Sequence, residues 1–152
     1  MITRRHFLAA SSALPLTLSL ARPAIAAKAP VFSSGGVAIN GYDPVAYFTE
    51  SKPVKGDAAI TSDWEGATLQ FASVENKAMF DSDPEKYAPK YGGYCAYAVS
   101  KGATAPTDPK AWTVHEGRLY LNFSVDVRGL WRQDIPGNVA KADANWPGVL
   151  ES

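Results

Sequence analysis

Three side chains of this sequence have donor types that bind soft metals: one thiol, one imidazole and one thioether. Cys95 is the only cysteine, and His115 is the only histidine after residue 26. A thiolate with an imidazole suits Cu(I), Cu(II) or Zn, and the thioether of Met79 supplies a further soft donor. Cys95, His115 and Met79 are therefore the candidate metal ligands, and copper is the candidate cofactor.

The number of donors limits the kinds of site that these residues can form. A structural zinc site needs four ligands, and a copper electron-transfer site needs two imidazoles beside its thiolate. One histidine completes neither within a monomer. Two other interpretations of Cys95 stay open, namely a small residue buried in the core or a redox-active thiol. His115 precedes Glu116-Gly117, which is typical of a tight turn, so a solvated turn residue is its alternative interpretation.

Six tyrosines near the cysteine in sequence offer a second kind of site. Their amphipathic rings can line a pocket for a small apolar ligand, or they can fill a core with their hydroxyls outward. They are Tyr42, Tyr47, Tyr87, Tyr91, Tyr94 and Tyr97. The sequence has no Ser-His-Asp order, phosphate-binding loop or dinucleotide fingerprint. It therefore favours a binding protein over an enzyme.

The first 26 residues predict where the protein works. Arg4-Arg5-His6-Phe7-Leu8, a weakly apolar run to Leu20 and Ala24-Ile25-Ala26 are typical of a twin-arginine export signal cleaved before Ala27. The apolar run is shorter than the roughly 20 residues that a spanning helix requires. We expect the twin-arginine machinery to export a soluble periplasmic protein, which keeps no stable membrane anchor after cleavage.

The charge and length of the remaining chain narrow its partners and its domain count. Cleavage removes three of the 15 basic residues and none of the 15 acidic ones, which leaves a net charge of about −3. A negative surface without a basic stripe repels nucleic acid, so nucleic-acid binding is excluded. The remaining length suits one domain. We predict a tether over residues 27–36 and a domain over residues 37–150.

The elements that position the candidate residues are two hairpins and several short helices. Two β-runs, 58–64 and 67–72, flank Glu65-Gly66, and the runs 112–115 and 118–123 flank Glu116-Gly117. The pattern predicts an α+β fold, with two β-hairpins forming a small antiparallel sheet covered by several short helices.

The local sequence also predicts where these elements begin and which of their side chains share a face. The predicted helix N-caps are Asp43, Ser73 and Ser124. A short helix is predicted over residues 94–99, around the cysteine, and a final helix over residues 138–145. In the second strand of the second hairpin, Leu119 and Leu121 are predicted to lie on one face, and Tyr120 and Asn122 on the other. Helical spacing predicts one apolar stripe of Val127, Leu130 and Trp131.

Six motifs run from Gly41 towards Leu150. They are Gly41-Tyr42-Asp43-Pro44-Val45-Ala46-Tyr47-Phe48, Phe71-Ala72-Ser73, Asp83-Pro84-Glu85-Lys86-Tyr87, Tyr91-Gly92-Gly93-Tyr94-Cys95-Ala96, Leu119-Tyr120-Leu121-Asn122 and Ala140-Lys141-Ala142-Asp143-Ala144-Asn145-Trp146. Together they make the chain resemble the YHS-domain family, in its branch of small exported bacterial proteins.

The resemblance implies a binding or accessory module, because YHS modules occur beside copper and heavy-metal transport ATPases and in some hydroxylase subunits. Metal-associated members place cysteines where this chain has Ala46, Ala72 and Asn76 or Lys77, whereas its own cysteine is Cys95. The expected function is a periplasmic YHS-like module for copper or another soft metal. A redox-active cysteine and a small apolar ligand are the alternatives.

Overall fold

A computed structural model describes residues 26–152 of the chain. The predicted export signal lies outside the described residues, except for Ala26. The structure combines short α-helices with two small β-sheets, so the predicted α+β class is confirmed. None of the helices found between residues 26 and 152 has the length and apolar character needed to cross a membrane.

The strands form a four-stranded and a two-stranded sheet. The first sheet has the order β1-β2-β4-β3 and contains β1 (Ser33–Ser34), β2 (Val37–Ala38), β3 (Asp57–Trp64) and β4 (Ala67–Phe71). The second contains β5 (Asp108–His115) and β6 (Arg118–Asn122). Both predicted hairpins are present, but they lie in separate sheets instead of one, and β2 pairs in parallel with the inner edge of β4.

Six α-helices connect and cover the sheets within the described residues. They are α1 (Ala46–Thr49), α2 (Val74–Ser82), α3 (Pro84–Tyr87), α4 (Ala96–Ser100), α5 (Val125–Arg132) and α6 (Ile135–Asn145). The predicted caps of α2 and α5 are confirmed, since Ser73 Oγ accepts from Asn76 N and Ser124 Oγ accepts from Val127 N, each at 3.1 Å.

Two details of the last helices differ from the prediction. Helix α6 begins at Ile135 rather than at residue 138, because Asp134 caps it by accepting from the backbone N–H of Gly137 and its first turn accommodates Pro136. The predicted stripe of α5 is only partly buried. Trp131 is completely buried, whereas Leu130 is 48% exposed.

The β5–β6 ribbon separates two clusters of buried side chains. Leu119 and Leu121 belong to the first cluster, the sheet core, which includes Leu69 and Phe71 of β4. Tyr120 belongs to the second, the helix core, which includes Trp131 of α5, Ala142 of α6 and Val99 of α4. The predicted alternation of side chains along β6 is therefore confirmed.

Residues 27–36 were predicted to form a tether, but they pack on the domain. Val31 is 1% exposed and lies in the sheet core. The backbone N–H of Phe32 donates to the Gly92 carbonyl at 2.9 Å. A Cβ at Gly92 would come within 1.9 Å of the Pro30 carbonyl oxygen, so this close approach requires glycine. Contacts with residues distant in sequence therefore bury Val31 in the middle of this segment, while most of its other residues stay exposed.

Candidate functional site

The Cys95 thiol is enclosed between the start of α4 and the end of β6. Cys95 is 1% exposed. The Sγ atom donates to Asn122 Oδ1 at 3.6 Å and accepts from the backbone N–H of Phe123 at 3.2 Å. The interpretation of Cys95 as a small buried core residue agrees with this geometry.

The three candidate metal ligands do not meet. Cys95 contacts Asn122, whereas His115 pairs with Arg118 at the turn of the ribbon. Because Arg118 and Asn122 are four residues apart on β6, these two contacts are separated by about 13 Å along the strand. Met79 packs against the sheet core. No group of three or more His, Cys, Asp or Glu side chains in residues 26–152 could hold a metal ion.

The described residues therefore do not fit a metal centre built on Cys95, His115 and Met79. Copper binding stays a prediction of the sequence, without support from the contacts of its candidate ligands. The same enclosure of Sγ opposes the redox alternative, because a reactive thiol has to be reached by its partner.

We expect native Cys95 to resist alkylation by iodoacetamide and to react only as the protein unfolds. The thiol is buried and held by two hydrogen bonds, so a reagent reaches it only after opening of the fold. Mass spectrometry across a urea series measures the modified fraction. Rapid, stoichiometric alkylation of native protein, with protection by Cu(I), would instead restore the metal prediction.

The carboxylate of Asp43 joins the start of α1 to β4 and α2. It is completely buried. Its oxygens accept four hydrogen bonds, from Val45 N at 2.8 Å, Ala46 N at 3.4 Å, Ala72 N at 2.8 Å and Asn76 Nδ2 at 2.7 Å. The N-cap residue of α1 is Val45 and not Asp43 as predicted, because the helix begins at Ala46. The Asp43 carboxylate nevertheless accepts from the N–H groups of Val45 and Ala46 at the start of α1, and its other two bonds reach Ala72 and Asn76.

Three positions where the family resemblance looks for cysteines thus converge in space. Ala46, Ala72 and Asn76 all donate N–H groups to the same carboxylate. The side chains of Ala46 and Ala72 have no lone pair, so neither residue supplies the side-chain ligand that a cysteine would offer a soft metal. In this chain the residues at these positions stabilise the fold through their hydrogen bonds to the Asp43 carboxylate.

The six tyrosines do not form one pocket. Tyr47 and Tyr87 lie in the sheet core, whereas Tyr91 and Tyr94 lie in the helix core. Burial raises the pKa of Tyr47, whose hydroxyl donates to the Pro109 carbonyl at 2.8 Å. Of the two interpretations of these tyrosines, the filling of a core agrees with this geometry, because the rings divide between the two cores on either side of the β5–β6 ribbon.

A cleft of about 310 Å³ lies beside Tyr91. Its side chains come from the β3–β4 turn, α3, the segment 88–92, the start of β6 and the residue after α6. We call it the Arg118 cleft, and its charged and aromatic side chains are Trp64, Glu65, Glu85, Lys90, Tyr91, Arg118 and Trp146. The volume is at the lower end of the range of about 300–1,000 Å³ that small-molecule pockets show.

The free positive charge of this cleft belongs to Arg118. Its Nε atom is buried and has no hydrogen-bond partner among residues 26–152. No ion pair in this part of the chain includes Arg118. The second cation, Lys90, is compensated, because its Nζ lies 3.5 Å from Asp143 Oδ1. A buried N–H donor without a partner costs free energy, although the rest of the Arg118 side chain is only partly buried.

Tyr91 is held rigidly in the wall of the cleft. Its hydroxyl donates to Asp143 Oδ1 at 2.9 Å, and its ring centroid lies 6.0 Å from that of Trp146. Burial raises the pKa of the Tyr91 hydroxyl and the bond to Asp143 raises it further, so the group stays protonated. Its backbone is left-handed with φ of +57°. Such conformations persist only where the surrounding contacts enforce them.

Reasoning from the sequence missed the Arg118 cleft. Its parts are separated by up to 82 positions along the chain, so spacing carries no sign of their proximity. One signal was available. Arg118 has the same strand parity as Tyr120 and Asn122, so alternation places a charged residue on an inward face of β6.

No family model, no curated protein and no solved structure matches the chain.

Proposed function

We propose that this chain is a binding module that holds a small organic anion in the Arg118 cleft. The observation that carries the proposal is that Arg118, a partly buried residue in the lining of the cleft, forms no ion pair within residues 26–152. A guanidinium pairs with a carboxylate through two parallel N–H···O bonds, which are among the strongest hydrogen bonds in proteins. A carboxylate in the cleft would supply the counter-ion that Arg118 lacks among the described residues.

The walls of the cleft support an organic ligand over a bare inorganic ion. Trp64, Tyr91 and Trp146 present aromatic surface around the charge. The lining as a whole is more polar than apolar, and these rings give an organic ligand a surface to stack on. The proposal keeps the binding class predicted from the sequence and the YHS resemblance, and it replaces the soft metal by an anion. Periplasmic export stays a prediction of residues 1–26.

We expect 3-phenylpropanoate, an aromatic monocarboxylate, to bind the wild-type protein and to lose affinity by about tenfold or more in Arg118→Gln. The substitution removes the charge and the paired donors while keeping a similar length. Isothermal titration calorimetry measures the dissociation constants. Arg132→Gln is the matched control, because Arg132 Nε donates to Thr113 Oγ1 at 3.1 Å and its side chain does not line the cleft.

Absence of saturable binding by folded wild-type protein would overturn the proposal. An equal loss of affinity in Arg118→Gln and Arg132→Gln would do the same, because it would show that net charge alone attracts the anion. Thermal unfolding of each variant establishes that the compared proteins are folded.

A further inference from the structure

The Arg118 cleft has charges of opposite sign at different depths. Arg118 is partly buried with its Nε enclosed, whereas Glu65 and Glu85 are exposed. Glu65 lies in the β3–β4 turn and Glu85 in the first turn of α3. Neither glutamate takes part in an ion pair within residues 26–152. The cleft therefore has a negative rim above a positive floor.

This separation of charge selects among small anions. A dianion such as a phosphate ester would bring a second negative charge towards two glutamates, and like charges repel. The floor offers one uncompensated cation, because Lys90 is paired with Asp143. One carboxylate is thus the anionic group that the cleft accommodates.

The rim can in turn attract a positive group of the same ligand. An ammonium at the rim would lie near two unpaired carboxylates, and the faces of Trp64 and Trp146 add cation–π attraction within the same cleft. The aromatic rings also supply apolar surface for the part of the ligand between its charges.

We infer that the ligand of the Arg118 cleft is a zwitterion of the amino-acid type with an apolar side chain. Its carboxylate pairs with Arg118, its ammonium faces Glu65 and Glu85, and its side chain packs on the tryptophan rings. The inference rests on the proposed anion-binding function and specifies the ligand of the same site.

Three probes separate the contributions of the two charges. L-Phenylalanine carries both, 3-phenylpropanoate lacks the ammonium, and 2-phenylethylamine lacks the carboxylate. Calorimetry of the wild-type protein at low salt should give the tightest binding for phenylalanine. Phenylalanine should bind up to about fivefold more tightly than 3-phenylpropanoate for each exposed ion pair that its ammonium forms. This difference in affinity should decrease as salt is added.

The double variant Glu65→Gln with Glu85→Gln should change the affinities for two of the probes in opposite directions. It should weaken phenylalanine binding, because the ammonium loses its partners, and strengthen 3-phenylpropanoate binding, because a repulsion is removed. Glu75→Gln is the matched control. Glu75 lies on α2 outside the cleft, so its substitution should leave the preference between the two probes unchanged.

The outcomes distinguish this inference from the function on which it rests. If 3-phenylpropanoate binds through Arg118 but phenylalanine binds no more tightly, the zwitterion is wrong and the anion site stands. A rim variant that changes both affinities in the same direction also contradicts the inference. If no carboxylate probe binds the wild-type protein, the proposed function itself fails.

Discussion

Trp131→Ala is expected to lower the free energy of unfolding by about 3–5 kcal/mol, the usual cost of removing a large buried aromatic side chain. Trp131 is completely buried in the helix core, and its ring centroid lies 5.0 Å from that of Tyr120 on β6. The substitution leaves a cavity between α5 and the β5–β6 ribbon, because neighbouring side chains relax only partly. Urea unfolding measured by circular dichroism gives the change.

Leu130→Ala is the matched control for this prediction. Leu130 is the neighbouring residue on α5 and is 48% exposed, so its truncation removes much less buried surface. We expect the control to cost less than about 1.5 kcal/mol. Equal costs for the two variants would contradict the packing described for α5.

Asp43→Ala is expected to lower the free energy of unfolding by at least about 3 kcal/mol. The substitution removes four hydrogen bonds to a buried carboxylate, and bonds to charged groups contribute about 1.5–3 kcal/mol each, although they do not add fully. The donors that lose their partner include Ala72 N and Asn76 Nδ2, which connect α1 to β4 and α2. Chemical denaturation measures the loss.

The matched control is Asp83→Ala, which also replaces an aspartate that precedes proline. Asp83 Oδ1 accepts one exposed bond, from Lys86 N at 3.3 Å, in a local N-cap. Loss of such a cap typically costs about 1 kcal/mol. If the two variants lose the same stability, Asp43 is no more than a local cap and the long-range role given to it is incorrect.

Contacts between residues close in sequence account for the correct predictions. Ser73 and Ser124 cap their helices through an N–H three residues away, so the signal and its partner lie in one short window. The alternation in β6 likewise needs only the strand period, which assigned Leu119 and Leu121 to one core and Tyr120 to the other. These features follow from the local sequence.

Contacts between distant residues account for the features that differ from the predictions. Residues 27–36 resemble a tether in composition, yet Val31 is buried by elements far along the chain. The pairing of β2 with β4 joins Val37 to Thr68, and no local pattern indicates it. The six tyrosines extend over residues 42–97 and divide between two cores, because the ribbon that separates them comes later in the chain.

The candidate site shows the same division. The residue types of Cys95, His115 and Met79 suggest a metal centre, but whether they meet depends on the tertiary fold. The cleft could not be assembled from spacing, since Trp64, Arg118 and Trp146 come from three separate regions. Only Arg118, a charged residue on an inward strand face, gives an indication of the cleft in the sequence.

A titration followed by two-dimensional NMR tests most directly whether an anion binds at Arg118, because each indole N–H signal belongs to a tryptophan of known position. Trp64 and Trp146 line the Arg118 cleft, whereas Trp131 lies in the helix core. With 3-phenylpropanoate as the probe, the indole signals of Trp64 and Trp146 should shift and saturate together, and that of Trp131 should not. Both shifts should disappear in Arg118→Gln. Saturating shifts confined to Trp131, or shifts that persist in that variant, would contradict an anion site at Arg118.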